Sequence, residues 1–475
     1  MLFNTIDFVI FLIAVVIVYY AIPVNKYRKL FLLVASYYFY VCRNVAFLVL
    51  LLFDTAVSYI AGRMMEEKEK PHQKRILWSS VVLFLAPLFC FKYLNFFLTT
   101  VHDGMSVLGI AMQVPEFELL LPIGISFYTF MAIGYVADVY LKKVEPEHGI
   151  LDFFLFIGFF PQIASGPIGR APSMLPQFKE KHPFLWANLA AGARMMLWGF
   201  FMKLVVGDRA GIYVDTVFGN YANHNGGSLL LATFMYTIQI YCDFAGYSLI
   251  AIGAARVMGY ELMTNFRRPY FATSVTDFWR RWHISLSTWF RDYVYIPCGG
   301  SRVGQKKLYR NNMITFLTSG LWHGAAYNFI VWGAYHGIAQ VIGKMTHEKK
   351  LSLWKALKVN PEGGLKRFVD IVLTFVIVSY GWMIFYVSDF GMAIEITKRY
   401  FHLGTPYVHQ TTLFFFAIGF LILLVKDFKD EFVPDKHFLL ESRFVPVRYV
   451  SFALLSVLIV LIGVLGGGQF IYFKF

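Results

Sequence analysis

NNMITFLTSGLWHGAAYNFIVWGAYHG occupies residues 311 to 337, and past its two asparagines it is an apolar run whose only acidic or basic residues are His323 and His336. The run extends to Ile342 and is long enough for two short membrane segments. A helix needs about 17 to 25 mainly apolar residues to cross the hydrocarbon core. Further candidate runs lie near 6–22, 29–42, 45–62, 76–99, 118–140, 151–165, 190–207, 228–255, 368–387, 411–425 and 447–465. They are continuous rather than alternating, which excludes a transmembrane barrel. The 475 residues are 58% hydrophobic and 15% charged, with a mean hydropathy of +0.57. These observations predict an all-α polytopic membrane protein with some broken or re-entrant helices.

The net charge of +14 does not point to nucleic acid, because the Lys and Arg residues sit mostly in loops between apolar runs. NKYRK at 25–29, the basic stretch 62–75, LKK at 141–143 and the Lys-rich 344–367 stretch read as cytoplasmic. The loop 100–118, with Asp103, Glu116 and Glu118 and no Lys or Arg, reads as external. Alternation then predicts an extracytoplasmic N-terminus in the inner (cytoplasmic) cell membrane. The first apolar segment lacks a basic leader and a cleavage site and is expected to be retained. Cys42, Cys90, Cys242 and Cys298 form no C-x-x-C pair, so neither a disulfide framework nor a metal site is expected.

No internal repeat is evident, and the chain reads as one membrane-embedded domain in three parts. Residues 1–115 and 366–475 carry plain spans, whereas 116–345 hold Gly, Pro and ionisable residues within or beside theirs. Ionisable groups at bilayer depth are costly and mark sites by default. Asp138, Lys203, Asp208 and Arg209 read as helix ends at the interface. Asp243, with long apolar flanks, is expected to be buried and to bond an Arg or Trp of the segment beginning at 277. PQIASGPIGR at 161–170 reads either as a re-entrant loop lining a substrate entrance or as an interfacial turn.

That segment, DFWRRWHISLSTWFRDYVYIPCGG at 277–300, separates into faces when read as one helix. Trp279, Trp282, Leu286, Trp289 and Tyr293 form an aromatic stripe. Asp277, Arg280, His283, Ser287 and Arg291 share the opposite, polar face. The pattern fits an interfacial anchor with Trp at headgroup depth, or one wall of a polar cavity. His323 lies among Ser319, Gly320, Gly324, Ala325 and Ala326, small residues that admit a close neighbour. In a continuous helix His336, thirteen residues on, would face away from His323, and no H-E-x-x-H motif is present. A desolvated imidazole stays neutral and able to take a proton. The chain has no G-x-S-x-G elbow, so direct transfer to a hydroxyl with His as general base fits better than an acyl-serine route.

With IQIYCDFAGYSLIAIGAARVMGY at 238–260 and FFPQIASGPIGR at 159–170, the two histidine segments resemble the membrane-bound O-acyltransferase (MBOAT) family, and within it the alginate O-acetyltransferase branch. The resemblance implies a ring of membrane helices, with re-entrant and interfacial elements, around a central tunnel. It implies His323 as the catalytic base and His283 as the second family position, with Asp243, Asp277, Arg280, Trp282, Ser287, Trp322 and Asn328 in support. It further implies transfer of a small acyl group, of the acetyl class, toward an exported polysaccharide. The donor would be a cytoplasmic thioester such as acetyl-CoA or an acyl carrier, used as substrate with no bound cofactor. An esterase-like extracytoplasmic transferase and the polysaccharide export machinery would be partners. D-alanyl transfer to teichoic acid, a transporter or flippase of polysaccharide precursors, and a non-catalytic scaffold are the alternatives.

Overall fold

The structure is a computed structural model and describes every residue except 43, 112, 116, 118, 164–165, 435–437, 467–469 and 472–475. Glu116 and Glu118 of the external loop, and Ala164 and Ser165 of the Pro/Gly stretch, therefore lie outside the described residues. The described elements are all helices. Seven are long and apolar enough to cross a membrane, among them Phe47–Met65, Gly364–Tyr386 and Gln410–Phe432. Lipid offers no hydrogen bonds, so a spanning backbone must satisfy its own, and helices do that within one segment. The side chains follow suit: Val82, Phe414 and Leu461 are 65%, 62% and 75% exposed, as lipid-facing residues are.

The chain forms two compact units, Met1–Ala193 with Ala251–Met263, and Arg194–Ile250 with Thr264–Phe475. In the first, Ile125–Tyr140 is buried along nearly its whole length and packs on Phe47–Met65. Thr129 donates to the buried carboxylate of Asp54 at 2.8 Å. The run Lys70–Val107 contains Pro87, whose missing N–H interrupts the ladder, and a π-helical turn at Phe89–Tyr93 follows it. Residues 166–169 of the Pro/Gly stretch are buried in protein.

The second unit contains both histidine segments. The run starting at 311 is not one helix. Gln305–His323 and Tyr327–Met345 are the arms of a hairpin broken at residues 324–326. The arms lie backbone to backbone because Gly320 and Gly333 lack side chains. A Cβ on Gly320 would strike the carbonyl of Phe329, and one on Gly333 that of Phe316. The run is thus two short segments, as its length allows, and thirteen-residue spacing does not set the directions of His323 and His336.

Candidate active site

Residues 277–300 are likewise not one helix. Val275–Arg281 stops, His283 takes a left-handed backbone conformation (φ 42°, ψ 56°), Ile284–Phe290 restarts, and Arg291–Tyr295 is a π turn. Positive φ in a non-glycine residue is strained and persists only where the surroundings enforce it. Here Asn265 enforces it. Its carbonyl accepts from Ile284 N–H at 2.9 Å and its Oδ1 from Ser285 N–H at 3.3 Å, while Arg267 N–H donates to the Arg281 carbonyl at 2.9 Å. No periodicity could have revealed Asn265, because its role depends on a break that helical reading does not expect.

The kink redistributes the faces read from sequence. Trp279, Trp282, Leu286 and Trp289 are 8%, 1%, 2% and 5% exposed and Tyr293 is half-buried, so the stripe is protein core up to Trp289 and the anchor reading is corrected there. Trp282 packs on Phe266, Phe278 and Trp382 with centroids 4.7 to 5.4 Å away. His283 is also buried and does not share a face with Arg280 and Arg291, which are exposed. Asp277 accepts from Arg281 Nε at 3.1 Å and from Thr273 N–H, and serves to start and brace its helix. Burial disfavours the Arg281 charge, but bonds to Asp277 and Glu431 outweigh it and hold the pKa above the usual value. Glu431, whose side chain is 7% exposed, receives Arg268, Arg281 and Arg367.

His323 ends the first hairpin arm and is buried. Its ring meets Trp322 at 4.8 Å, Trp332 at 4.9 Å and Phe385 at 5.3 Å, each edge to face. His283 meets Phe244 at 4.5 Å and Trp322 at 6.2 Å. Both candidate histidines thus touch the same indole, and each stands where a helix is interrupted. Asn328 donates through Nδ2 to the carbonyl of Val387 at 2.8 Å and that of Phe385 at 3.3 Å, which fixes Phe385 against His323.

A cavity of about 450 Å³ opens beside this frame. Trp279, Leu286, Phe290 and Phe316 form apolar walls, Ser287, Asn312, Ser319 and Gln340 supply polar groups, and Arg280, Arg291 and Lys344 supply charge. Burial, with Arg280 nearby, holds the Lys344 ammonium below its ordinary pKa. Neither histidine lines this cavity, but Ser319 does, one turn before His323 on the same helix face. Ser287 donates to the Trp282 carbonyl at 3.1 Å. Asn312, Gln340 and Lys344 escaped the sequence reading because they lie at the far ends of the arms, where polar residues are ordinary.

Asp243 is buried as expected, but its partner is not in the 277–300 segment. It pairs with Lys203 and accepts from the backbone N–H of Ile471 at 2.8 Å, and Lys203 also donates to Asp208 at 2.7 Å. Lys203 lies in the π-helical stretch Phe201–Gly207 and is 1% exposed, so Lys203 and Asp208 are a buried ion cluster, not an interfacial helix end. Arg209 donates to the carbonyl of Ile462. Asp138, near the end of its helix, pairs with Lys143 at 3.5 Å. Among the described residues no three His, Cys, Asp or Glu side chains converge as a metal site.

Comparison with known proteins gives this geometry a family. Residues 141–348 match "MBOAT, membrane-bound O-acyltransferase family". A "Probable alginate O-acetylase AlgI" of Pseudomonas aeruginosa is 36% identical over 89% of this chain and 80% of its own length. A peptidoglycan O-acetyltransferase of Helicobacter pylori is 31% identical over 78% of this chain and 73% of its own. A teichoic acid D-alanyltransferase of Bacillus subtilis is 32% identical over 57% and 70%. With its spanning helices, its two interrupted histidine segments and these relatives, the chain belongs to the membrane-bound O-acyltransferase family and is a multi-pass membrane acyltransferase.

Proposed function

We propose that this acyltransferase moves a small acyl group, of the acetyl class, from a cytoplasmic thioester to a hydroxyl outside the membrane. That hydroxyl belongs either to an exported polysaccharide or to an extracytoplasmic partner transferase. The observation that carries the reading is the shared indole: Trp322 touches both His323 and His283, each at a break in its helix. Breaks at bilayer depth are tolerated where they line a cavity or are buried in protein.

In this reading His323 accepts the proton of the acceptor hydroxyl as its oxygen attacks the thioester carbonyl. The C–O bond forms, the C–S bond breaks, and the thiolate leaves with the proton held by the imidazolium. His283 orients the reacting groups. The donor occupies the cavity beside Ser319, with a phosphorylated carrier portion, of coenzyme A or of an acyl carrier protein, against Arg280, Arg291 and Lys344. Lys344 opens the Lys-rich 344–367 stretch, and the positive-inside rule supports a cytoplasmic mouth for this cavity.

The relatives' names support an envelope polymer as the final acceptor. The acetylase matches 89% of this chain and the D-alanyltransferase 57%, which favours acetyl over D-alanyl transfer. The experiment is acyl transfer from labelled donor in membranes carrying wild type, His323→Ala or His283→Ala at equal abundance. Loss of general-base catalysis costs roughly 10²- to 10⁴-fold, and His283→Ala is expected to lose less. Near wild-type transfer by His323→Ala overturns the base assignment. Movement of a labelled sugar or lipid without any thioester favours a transporter, and silence of both substitutions favours a scaffold.

A further inference from the structure

A third histidine stands in the aromatic frame around His323, and the reaction above gives it no part. We infer that His336 is a positioning residue that fixes the Trp279 wall of the donor cavity. This rests on reading that cavity as the donor's.

His336 lies midway along the second hairpin arm and is 0% exposed. Its Nδ1 accepts from the indole N–H of Trp279 at 3.4 Å, with the rings perpendicular at 89° and 5.2 Å apart. A ring nitrogen that accepts carries no proton, so the neutral imidazole keeps its proton on Nε2. Nε2 makes no hydrogen bond among the described residues and abuts Gly381, where a Cβ would stand 2.5 Å away. Burying a polar ring with one nitrogen unsatisfied is unfavourable. A leucine or phenylalanine would pack there without that penalty, and what histidine adds is the bond to Trp279.

Trp279 has need of such a bond. It sits on a helix of seven residues that ends just before the left-handed His283, and its indole lines the donor cavity. With its N–H held by His336, one edge of the indole faces the cavity and the ring stays in one rotamer. The same frame continues inward: Trp332 lies 5.0 Å from His336, 5.5 Å from Trp279 and 4.9 Å from His323. The bond acts on the shape of the donor site, not on the proton transfer, so its loss should appear in donor binding.

The test uses full-length protein in detergent, with a non-hydrolysable thioether analogue of acetyl-CoA for binding and acetyl-CoA for turnover. His336→Leu is expected to weaken analogue binding and raise KM about tenfold, with kcat within about threefold, as loss of one buried bond implies. Trp279→Phe drops the N–H together with part of the indole wall, so it should lose at least as much as His336→Leu, and the double variant should be no worse than Trp279→Phe alone. His336→Asn, whose amide oxygen can sit where Nδ1 was, should restore binding. Additive effects, a loss confined to kcat, or no recovery in His336→Asn overturns the assignment, and the Asn variant keeps the test decisive if His336→Leu fails to fold. Wild type that binds neither this analogue nor the same thioether on an acyl carrier protein refutes the donor cavity itself; wild type and His336→Leu binding alike refutes only the role of His336.

Discussion

The ring of His323 meets that of Trp332 edge to face at 4.9 Å and 81°. Trp332 is fully buried, yet its indole N–H makes no hydrogen bond among the described residues. Its contribution is therefore packing: it is one of the aromatic walls that hold the imidazole in place.

The first prediction follows from that. Trp332→Phe keeps an aromatic edge beside His323 and forfeits no hydrogen bond, so transfer should stay within a few-fold of wild type. Trp332→Ala opens a large cavity, which costs about 3–5 kcal/mol, and should lose most transfer together with thermal stability in detergent. Equal, severe loss in both variants, with normal abundance, would show that the indole N–H has a role the packing argument omits.

A second prediction concerns the hairpin. Gly320→Ala and Gly333→Ala each set a methyl against a carbonyl of the opposite arm, so the arms must separate and His323 must move. Both should lower the melting temperature and transfer together. Gly343, on the second arm, has nothing within 4 Å of where its Cβ would lie. Gly343→Ala should therefore leave transfer intact and, through helix propensity alone, stabilise by up to about 1 kcal/mol. Melting curves of the three variants in one detergent check the contrast.

Lys203 supplies the third. It pairs with two carboxylates in a site where it is 1% exposed. Breaking a buried ion pair from one side costs about 3–5 kcal/mol because the partner charge is left behind. Lys203→Met strands Asp208 and Asp243 together and should sharply reduce folded protein. Lys203→Met combined with Asp208→Asn and Asp243→Asn removes all three charges and should recover much of that loss. If the triple variant were as unstable as the single one, desolvated charge would not be the cause.

How much of this is legible in the sequence depends on what kind of signal each feature leaves. The spans are legible because about twenty apolar residues in a row match the thickness of the hydrocarbon core, and each of the seven spanning helices overlaps a predicted run, although its ends do not always coincide. The broken helices are not. Periodicity assumes a regular helix, and nothing in TSVTDFWRRWHISLS announces that His283 takes φ 42°. The stabilising partner, Asn265, lies eighteen residues earlier. For the same reason periodicity puts the aromatic stripe at the headgroups when it is core. The long apolar flanks of Asp243 announce its burial but not that Lys203 is its partner. His323 stands out because ionisable residues in apolar runs are rare, whereas His283 sits among charges and is singled out by the family resemblance. His336 stands out equally, but its bond to Trp279 cannot be seen without the fold.

The last prediction concerns the charges at the cavity. Arg280, Arg291 and Lys344 line one cavity beside the candidate base, and Arg280 and Arg291 are exposed. If they receive the phosphates of the donor, their attraction is screened by salt over a Debye length of about 8 Å at physiological ionic strength. KM for acetyl-CoA should then rise with salt in wild type while kcat stays flat. Exposed ion pairs contribute about 0.2–1 kcal/mol each, so Arg291→Gln or Lys344→Gln should raise KM roughly two- to fivefold at low salt. The double substitution should flatten the salt dependence. Turnover measured from about 20 mM to about 300 mM salt, a range chosen to span Debye lengths of about 20 to 6 Å, checks this. A KM that ignores salt in wild type, or variants that keep the full salt slope, would place the donor's phosphates elsewhere.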